Sequence, residues 1–562
     1  MSSMHGPMRK QLRSLLLCLC VLSSGLAACH PDDNDPKGQA GDLNDPVRRE
    51  YALGRLQAIF STRLSEAKGD RSAPPVKEFI DSTHEALTKA YLDHPEDSQN
   101  GLRMLSLMNE MRDPRVLPAL IKALEWKAEI SEDHAVTAAL TISEIQIPED
   151  QKGAVVEGLS KALLRVDGAR GADNRMRKSF LEVLGKLKDK RATEALTKVA
   201  LKREASQSFL FNILAGQQLV AIADPASIPT FIKGLYWFDT NNPAMRMNDV
   251  STSGLVAIGK PALQPLLKVL RGEDEEANAV VKLYIEAIKQ KDADAARKLD
   301  ARAIIANEAA FTLGKLGYRE ALDPLIEESK SPDKARALGA GLALVSVVRQ
   351  PEDTQKIAEA LQRIYAALDV AQKPQLLVAM RHLYAPELLP FMLNVTKTKV
   401  KEYGADAARL YAFQGYALLA NKAEMAQLKA VFDKDPLFKE QLTDHVPLFA
   451  AADSCDANVD CWTGRLKDND KVVLRKTASM LARFGRGNEK AIHSLVQLFA
   501  HRDLEVRNEA LGAVDAMAVK GSKEAVQKID ELESAEGGRS IWNNFKREAL
   551  PTRSRLQLRA AS

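Results

Sequence analysis

Apolar residues recur along much of this chain at intervals of three and four. Near the C-terminus, Leu474, Ala478 and Leu481 fall on one face of a predicted helix, and Ile492, Leu495, Val496 and Phe499 on one face of the next. Asp470 and Asp503 stand where an N-cap would accept hydrogen bonds from free backbone amides. Gly485 and Gly487 stand where the first helix should stop. No alternating strand pattern of useful length is present, so the pattern predicts pairs of amphipathic helices.

These pairs repeat. Arg475 and Ala478 return as Arg507 and Ala510, while Ala491, Ile492, Leu495 and Leu498 return as Ala525, Val526, Ile529 and Leu532, which gives a unit of about 33 residues. Leu184-Gly185-Lys186-Leu187, with Arg191-Ala192 and Ala195-Leu196 after it, reappears as Leu313-Gly314-Lys315-Leu316 with Arg319, Ala321-Leu322 and Pro324-Leu325. Ile258 to Leu266 matches the run that ends at Pro324-Leu325, once a charged insertion at about residues 272–300 is removed. A single hairpin cannot hide its apolar stripe, so neighbours must stack. The expected fold is an all-α solenoid of about a dozen helical hairpins, with a concave surface built from the second helix of each. Its length of 562 residues suits such an array better than one compact core.

The segment Asp503-Leu504-Glu505-Val506-Arg507-Asn508-Glu509-Ala510 resembles the D-x-x-V-R-x-x-A core of HEAT repeats, in particular the short variety first noted in phycobilisome lyases. Asp470 to Ala478 matches it with one extra residue. The resemblance runs over roughly residues 100–535 and is strongest at 174–201, 255–330 and 470–535. It implies a HEAT-like superhelix in which the Asp and Arg of successive units link across the stack. On that expectation Asp470, Arg475, Asp503 and Arg507 are structural rather than catalytic.

The first residues follow different rules. Arg9, Lys10 and Arg13 precede an apolar run from Leu15 to Leu22, and Leu26-Ala27-Ala28-Cys29 follows, which reads as a cleavable signal peptide too short to span a bilayer. Leu-Ala-Ala-Cys resembles the lipobox of bacterial lipoproteins, which implies cleavage before Cys29 and attachment of a diacylglyceryl group, with palmitate-type acyl chains, to its sulfur. The expected order is a signal peptide at 1–28, a lipid-anchored flexible linker at 29–48 rich in Pro, Asp, Asn and Gly, the solenoid at 49–535, and a basic, solvated tail at 536–562. His30 stands where an aspartate would retain an enteric lipoprotein in the inner membrane. The expected location is therefore the cell envelope, at the outer membrane on its periplasmic side or at the cell surface.

Charge and motifs narrow the function. Lys plus Arg number 79 and Asp plus Glu 75, and three of the excess positive charges lie in the leader, so nothing calls for nucleic acid. Gly254 to Lys260 fits the start of a phosphate-binding loop, but Pro261 stands where Ser or Thr should hold magnesium, and the segment is helical repeat. His84, His94, His134, His382, His445, His493 and His501 show no metal spacing, and no G-x-S-x-G occurs. No cofactor, metal or small-molecule substrate is expected.

Two local features stand above the scaffold. Cys455 and Cys461 enclose a short loop which, in an oxidising compartment, is most simply a disulfide. The Asp456-x-Asn458-x-Asp460 between them imitates a calcium loop, but Cys461 and Lys467 stand where glycine and glutamate are required. Tyr236, Trp237 and Phe238, beside Phe231, form a dense aromatic group in a chain only 5% aromatic. Exposed, they would anchor a partner; otherwise they fill a gap between degenerate repeats. The resulting expectation is a non-catalytic protein-binding scaffold, lipid-anchored in the envelope, with an unidentified protein partner. The alternatives are a lyase-type or cofactor-handling repeat protein, which an exported chain does not favour, and a purely structural envelope spacer.

Overall fold

A computed structural model describes residues 32–127, 132–204, 207–347, 351–402, 404–442 and 445–561. It divides into two compact units, one ending at Leu187 and the other beginning at Lys188. Among the described residues there is no strand, only one isolated bridge between Phe238 and Arg246. None of the described helices is long and apolar enough to cross a membrane. The expected signal peptide at 1–28 and the expected lipid-bearing Cys29 lie outside the described residues.

Unit 1 comprises α1 (Pro36–Gly41), α2 (Arg49–Glu66), α3 (Pro74–Asp93), α4 (Ser98–Met111), α5 (Leu117–Ala123), α6 (Glu132–Glu144), α7 (Glu149–Arg165) and α8 (Gly171–Leu187). The stretch from residue 32 to 48, expected to be part of a flexible linker, instead folds. Asp35 caps α1 through the amides of Lys37 and Gly38, and Ala40 and Leu43 are buried against α2 and α3. Two apolar residues and one cap suffice to dock so short a segment, which is why its polar composition misled.

Unit 2 comprises α9 (Thr193–Ala200), α10 (Phe209–Ile222), α11 (Ile228–Gly234), α12 (Asn248–Ile258), α13 (Leu263–Leu270), α14 (Glu275–Lys291), α15 (Ala293–Arg297), α16 (Ala301–Leu316), α17 (Leu322–Glu328), α18 (Lys334–Leu344), α19 (Pro351–Ala367), α20 (Lys373–Arg381), α21 (Leu389–Lys397) and α22 (Ala405–Leu419). It continues with α23 (Lys422–Phe432), α24 (Pro436–Gln441), α25 (Val446–Cys455), α26 (Val459–Gly464), α27 (Lys471–Phe484), α28 (Glu489–Gln497), α29 (Leu504–Met517), α30 (Lys523–Glu536) and α31 (Ser540–Ala561).

The hairpins share one turn. In two the first helix ends at a residue with positive φ, Arg112 or Ala223, and in a third Tyr384 adopts it three residues beyond α20; an extended residue followed by Pro114, Pro225 or Pro386 then opens a single 3-10 turn. Asp113 and Asp224 cap those turns with their side chains. Proline at the first position of the turn gives up an amide that had no partner to lose.

Successive first helices pack closely because their facing residues are small. α16, with buried Ala306, Ala309, Ala310 and Gly314, packs on α18, with buried Ala337, Ala340, Gly341 and Ala343, and a Cβ on Gly339 of α18 would meet Asn307 of α16. A Cβ on Gly314 would sit 2.9 Å from the Cα of Ala343. The second helices present larger groups, such as Leu322, Leu325 and Ile326 on α17. First helices, α16, α18, α27 and α29 among them, rather than the expected second ones, chiefly line a cavity in unit 2.

Links recur one repeat apart. Thr197 meets Thr230 at 3.1 Å, Arg319 holds Asp353 at 2.7 and 2.8 Å, and Lys356 reaches Asp323 at 2.5 Å. The arginines of the D-x-x-V-R-x-x-A core do cross to the next unit, but they find glutamates. Arg475 pairs with Glu505, and Arg507 with Glu536 at 2.7 Å. Asp470 and Asp503 cap their own helices instead, Asp503 also receiving Lys471 at 3.3 Å.

The C-terminal segment corrects a second expectation. Residues 540–561 are not a solvated tail but the helix α31, which buries Trp542, Phe545, Ala549 and Leu556. It packs on α29 and α30 and also reaches α12 and α16, far back in the sequence.

Candidate functional site

The inner face of unit 2 encloses a cavity of about 780 Å³. Its wall comes from the ends of α16 and α18, the turn at Arg381 to Glu387, the end of α27, α29, and the underside of α31. Apolar and charged side chains share this wall. Lys315, Arg381, Arg483, Arg486, Arg555 and Arg559 line it with Glu387, Glu505, Asp515 and Glu548.

Most of these groups are already engaged. Lys315 pairs with Glu548, and the Lys315 carbonyl accepts from Arg555 at 2.5 Å. Asp515 holds Arg555 at 2.6 Å and Arg559 at 2.7 Å. Burial pushes the Asp515 carboxyl up, but the two guanidinium groups outweigh it and hold the group at about 2. Glu509, wholly buried behind the wall, faces Arg381 at 3.1 Å and accepts from Ser479 at 2.9 Å. Burial would raise its pKa, yet Arg381 and His382 bring it below the usual carboxylate value. Desolvation, assisted by Arg381, lowers the His382 imidazole to about 4. Arg486 is exposed at the rim, and buried atoms without a hydrogen-bond partner remain at Arg555 Nε and Asn508 Oδ1.

At residues 305–330 the chain matches the PBS lyase HEAT-like repeat. That stretch is most of α16, its turn and α17, so the cavity wall at Lys315 belongs to a HEAT-like repeat. No curated protein matches the chain in sequence. Among solved structures it is similar to the karyopherin Kap121p bound to the extreme C-terminus of the protein phosphatase Cdc14p, at 11% identity and a TM-score of 0.40, covering 97% of this chain and 74% of that one. Kap121p bound to the SUMO protease Ulp1p gives 12%, a TM-score of 0.42, and 94% and 70% coverage. Kap121p alone gives 14% and 0.36, with this chain spanning 56% of its length.

The aromatic group proposed from sequence lies elsewhere and is not exposed. Tyr236, Trp237 and Phe238 are all buried. Tyr236 donates to the Ile305 carbonyl at 2.9 Å, Arg203 stacks over Trp237 at 3.9 Å, and Phe238 meets Tyr284 edge-on at 5.2 Å. Tyr284 belongs to α14, within the charged insertion, so the insertion supplies the cover that local sequence could not show. These three side chains are core packing and leave the list of partner-binding residues.

Cys455 and Cys461 are joined by a disulfide, with Cα atoms 5.3 Å apart. Asn458 caps the Cys461 amide rather than facing an ion, and the Trp462 indole donates to the Asp456 carbonyl at 2.7 Å. Among the described residues no group of His, Cys, Asp and Glu has a metal-holding arrangement. Sequence reasoning missed Lys315, Arg381, Glu509, Asp515, Glu548, Arg555 and Arg559. The available signal was the spacing of Trp542, Phe545, Ala549 and Leu556, which marks a helix with a buried stripe and its arginines alongside.

Proposed function

We propose that this chain is a protein-binding scaffold without catalysis, tethered through a lipid on Cys29 to the bacterial cell envelope at the outer membrane. The observation that carries the binding half is the cavity on the inner face. The wall mixes many apolar side chains with Lys315, Arg381, Arg483, Arg486, Arg555 and Arg559, and it is drawn from helices spread over residues 315–559 rather than from one compact pocket. Such a mixed lining suits a polypeptide segment, which brings apolar and charged side chains together. The lipid tether rests on the Leu26 to Cys29 motif and its basic and apolar flanks.

Crosslinking in intact envelopes followed by mass spectrometry tests the scaffold. A defined protein partner is expected, and Arg486→Glu should weaken its capture about tenfold without moving the melting temperature, since the side chain is exposed. Recovery of a bound chromophore or small molecule instead of a protein would refute this reading. Cys29→Ala tests the anchor by fractionation: the variant should be soluble or unprocessed, and a processed, fully membrane-bound variant would remove the lipobox from the argument.

A further inference from the structure

We infer that the end of unit 1 formed by residues 32–55 is a membrane-facing edge that rests on zwitterionic lipid headgroups. The inference rests on the lipoprotein reading and adds to it an orientation. Only two residues, His30 and Pro31, separate Cys29 from Asp32, the first of the described residues, so three Cα–Cα steps join them. An extended chain covers at most about 3.6 Å per residue, so Asp32 lies within roughly 11 Å of a lipidated cysteine.

No slack follows. Gln39 donates to the Asp32 carbonyl at 3.3 Å. Tyr51 Oη donates to the Asp33 carboxylate at 2.8 Å, and Arg55 holds the Asp33 carbonyl through Nε and Nη2, each at 3.1 Å. Asp35 caps α1 immediately afterwards. The next turn is fixed too, because buried Arg49 donates to the Leu43 carbonyl at 2.7 Å and pairs with Asp97, the cap of α4, at 2.7 Å. A tether this short on a body this firmly pinned brings one edge to the bilayer surface.

That edge has the matching chemistry. Val47, in the pinned turn, is 91% exposed, more than any other large apolar side chain among the described residues. Tyr51, four residues on and in contact with Asp33, is 58% exposed. A tyrosine ring beside an aliphatic group suits the headgroup level, where one end is apolar and the other wet. Asp32, Asp33, Asp35, Asp42, Asp45 and Glu50 outnumber Lys37, Arg48, Arg49 and Arg55, so an anionic surface is disfavoured and a zwitterionic one fits. The acyl chains hold the protein on the membrane, and the edge decides which way it faces.

A thiol-reactive, environment-sensitive fluorophore tests this on the full, acylated chain in phosphatidylcholine vesicles. Cys455 and Cys461 are bonded to each other, so Val47→Cys supplies the free thiol, and Leu164→Cys, on α7 of the same unit and 44% exposed, supplies the comparison. Quenching by nitroxide-bearing phosphatidylcholine should be at least about threefold stronger at position 47, with a blue-shifted emission. Equal quenching at the two positions, or stronger quenching at 164, on vesicle-bound protein overturns the orientation alone. An intact mass without lipid on Cys29 overturns the lipoprotein reading and this one with it.

Discussion

Lys476 carries a charge into the middle of unit 2, and the consequence for stability can be worked out. Its side chain is fully buried on α27, donating to the carbonyls of Ala417, in the last turn of α22, at 2.6 Å and of Ala420, its C-cap, at 2.7 Å. Burial, reinforced by Arg483, lowers its pKa from 10.5 to about 7. Below pH 7 both folded and unfolded chains hold the proton, and the folded state bears the full cost of burying it. Between pH 7 and 10.5 the unfolded chain binds more protons, so stability climbs as pH rises, by about 1.4 kcal/mol per unit at most. Lys476→Met removes the titration while filling similar space. Urea unfolding of the two proteins at pH 7 and pH 9 should therefore show the wild type gaining about 2 kcal/mol relative to the variant. A difference between the two proteins that is the same at both pH values would show that the amine keeps an ordinary pKa in the fold, and the reasoning would fail.

Other substitutions follow from the same contacts. Trp237→Ala should cost about 3–5 kcal/mol in thermal or urea unfolding, as a buried aromatic does, and an unchanged melting temperature would contradict its place in the core. Asp515→Ala strands Arg555 and Arg559 and should cost about 3–5 kcal/mol; a loss under 1 kcal/mol would mean that water satisfies the arginines as well. Protein from the envelope, alkylated without reductant, should gain no label at Cys455 or Cys461, and replacing both with serine should cost about 2 kcal/mol for so short a loop. Two labelled thiols would rule the bond out in the cell.

The parts of this fold that were legible in sequence are those built from local rules. Leu474, Ala478 and Leu481, with Asp470 ahead of them, mark α27 because helix periodicity and capping act over a few residues. The Asp-Pro turns at Asp113 and Asp224 obey equally local rules. What failed was long-range. Tyr236 to Phe238 look the same in sequence whether solvent or Tyr284 covers them. Arg555 and Arg559 read as a solvated basic end until Asp515 is placed beneath them. The cavity itself depends on Lys315 meeting Glu548, 233 residues later, and nothing in either neighbourhood announces it.

That last contact alters how unit 2 can be made. In an open array each repeat answers only to its neighbours, so folding can begin anywhere and spread, and units can be gained or lost at modest cost. Here α31 joins the last hairpins to α12 and α16, which turns a string into a loop. The pairing that closes it, between segments more than two hundred residues apart, carries the entropy of a long closure and forms slowly. During synthesis the ring must therefore stay open until α31 emerges. An extra repeat inserted between α16 and α31 would displace Glu548 and Arg555 from Lys315 together, so evolution can lengthen this stretch of the chain only by loops and insertions outside the ring, as α14 already illustrates.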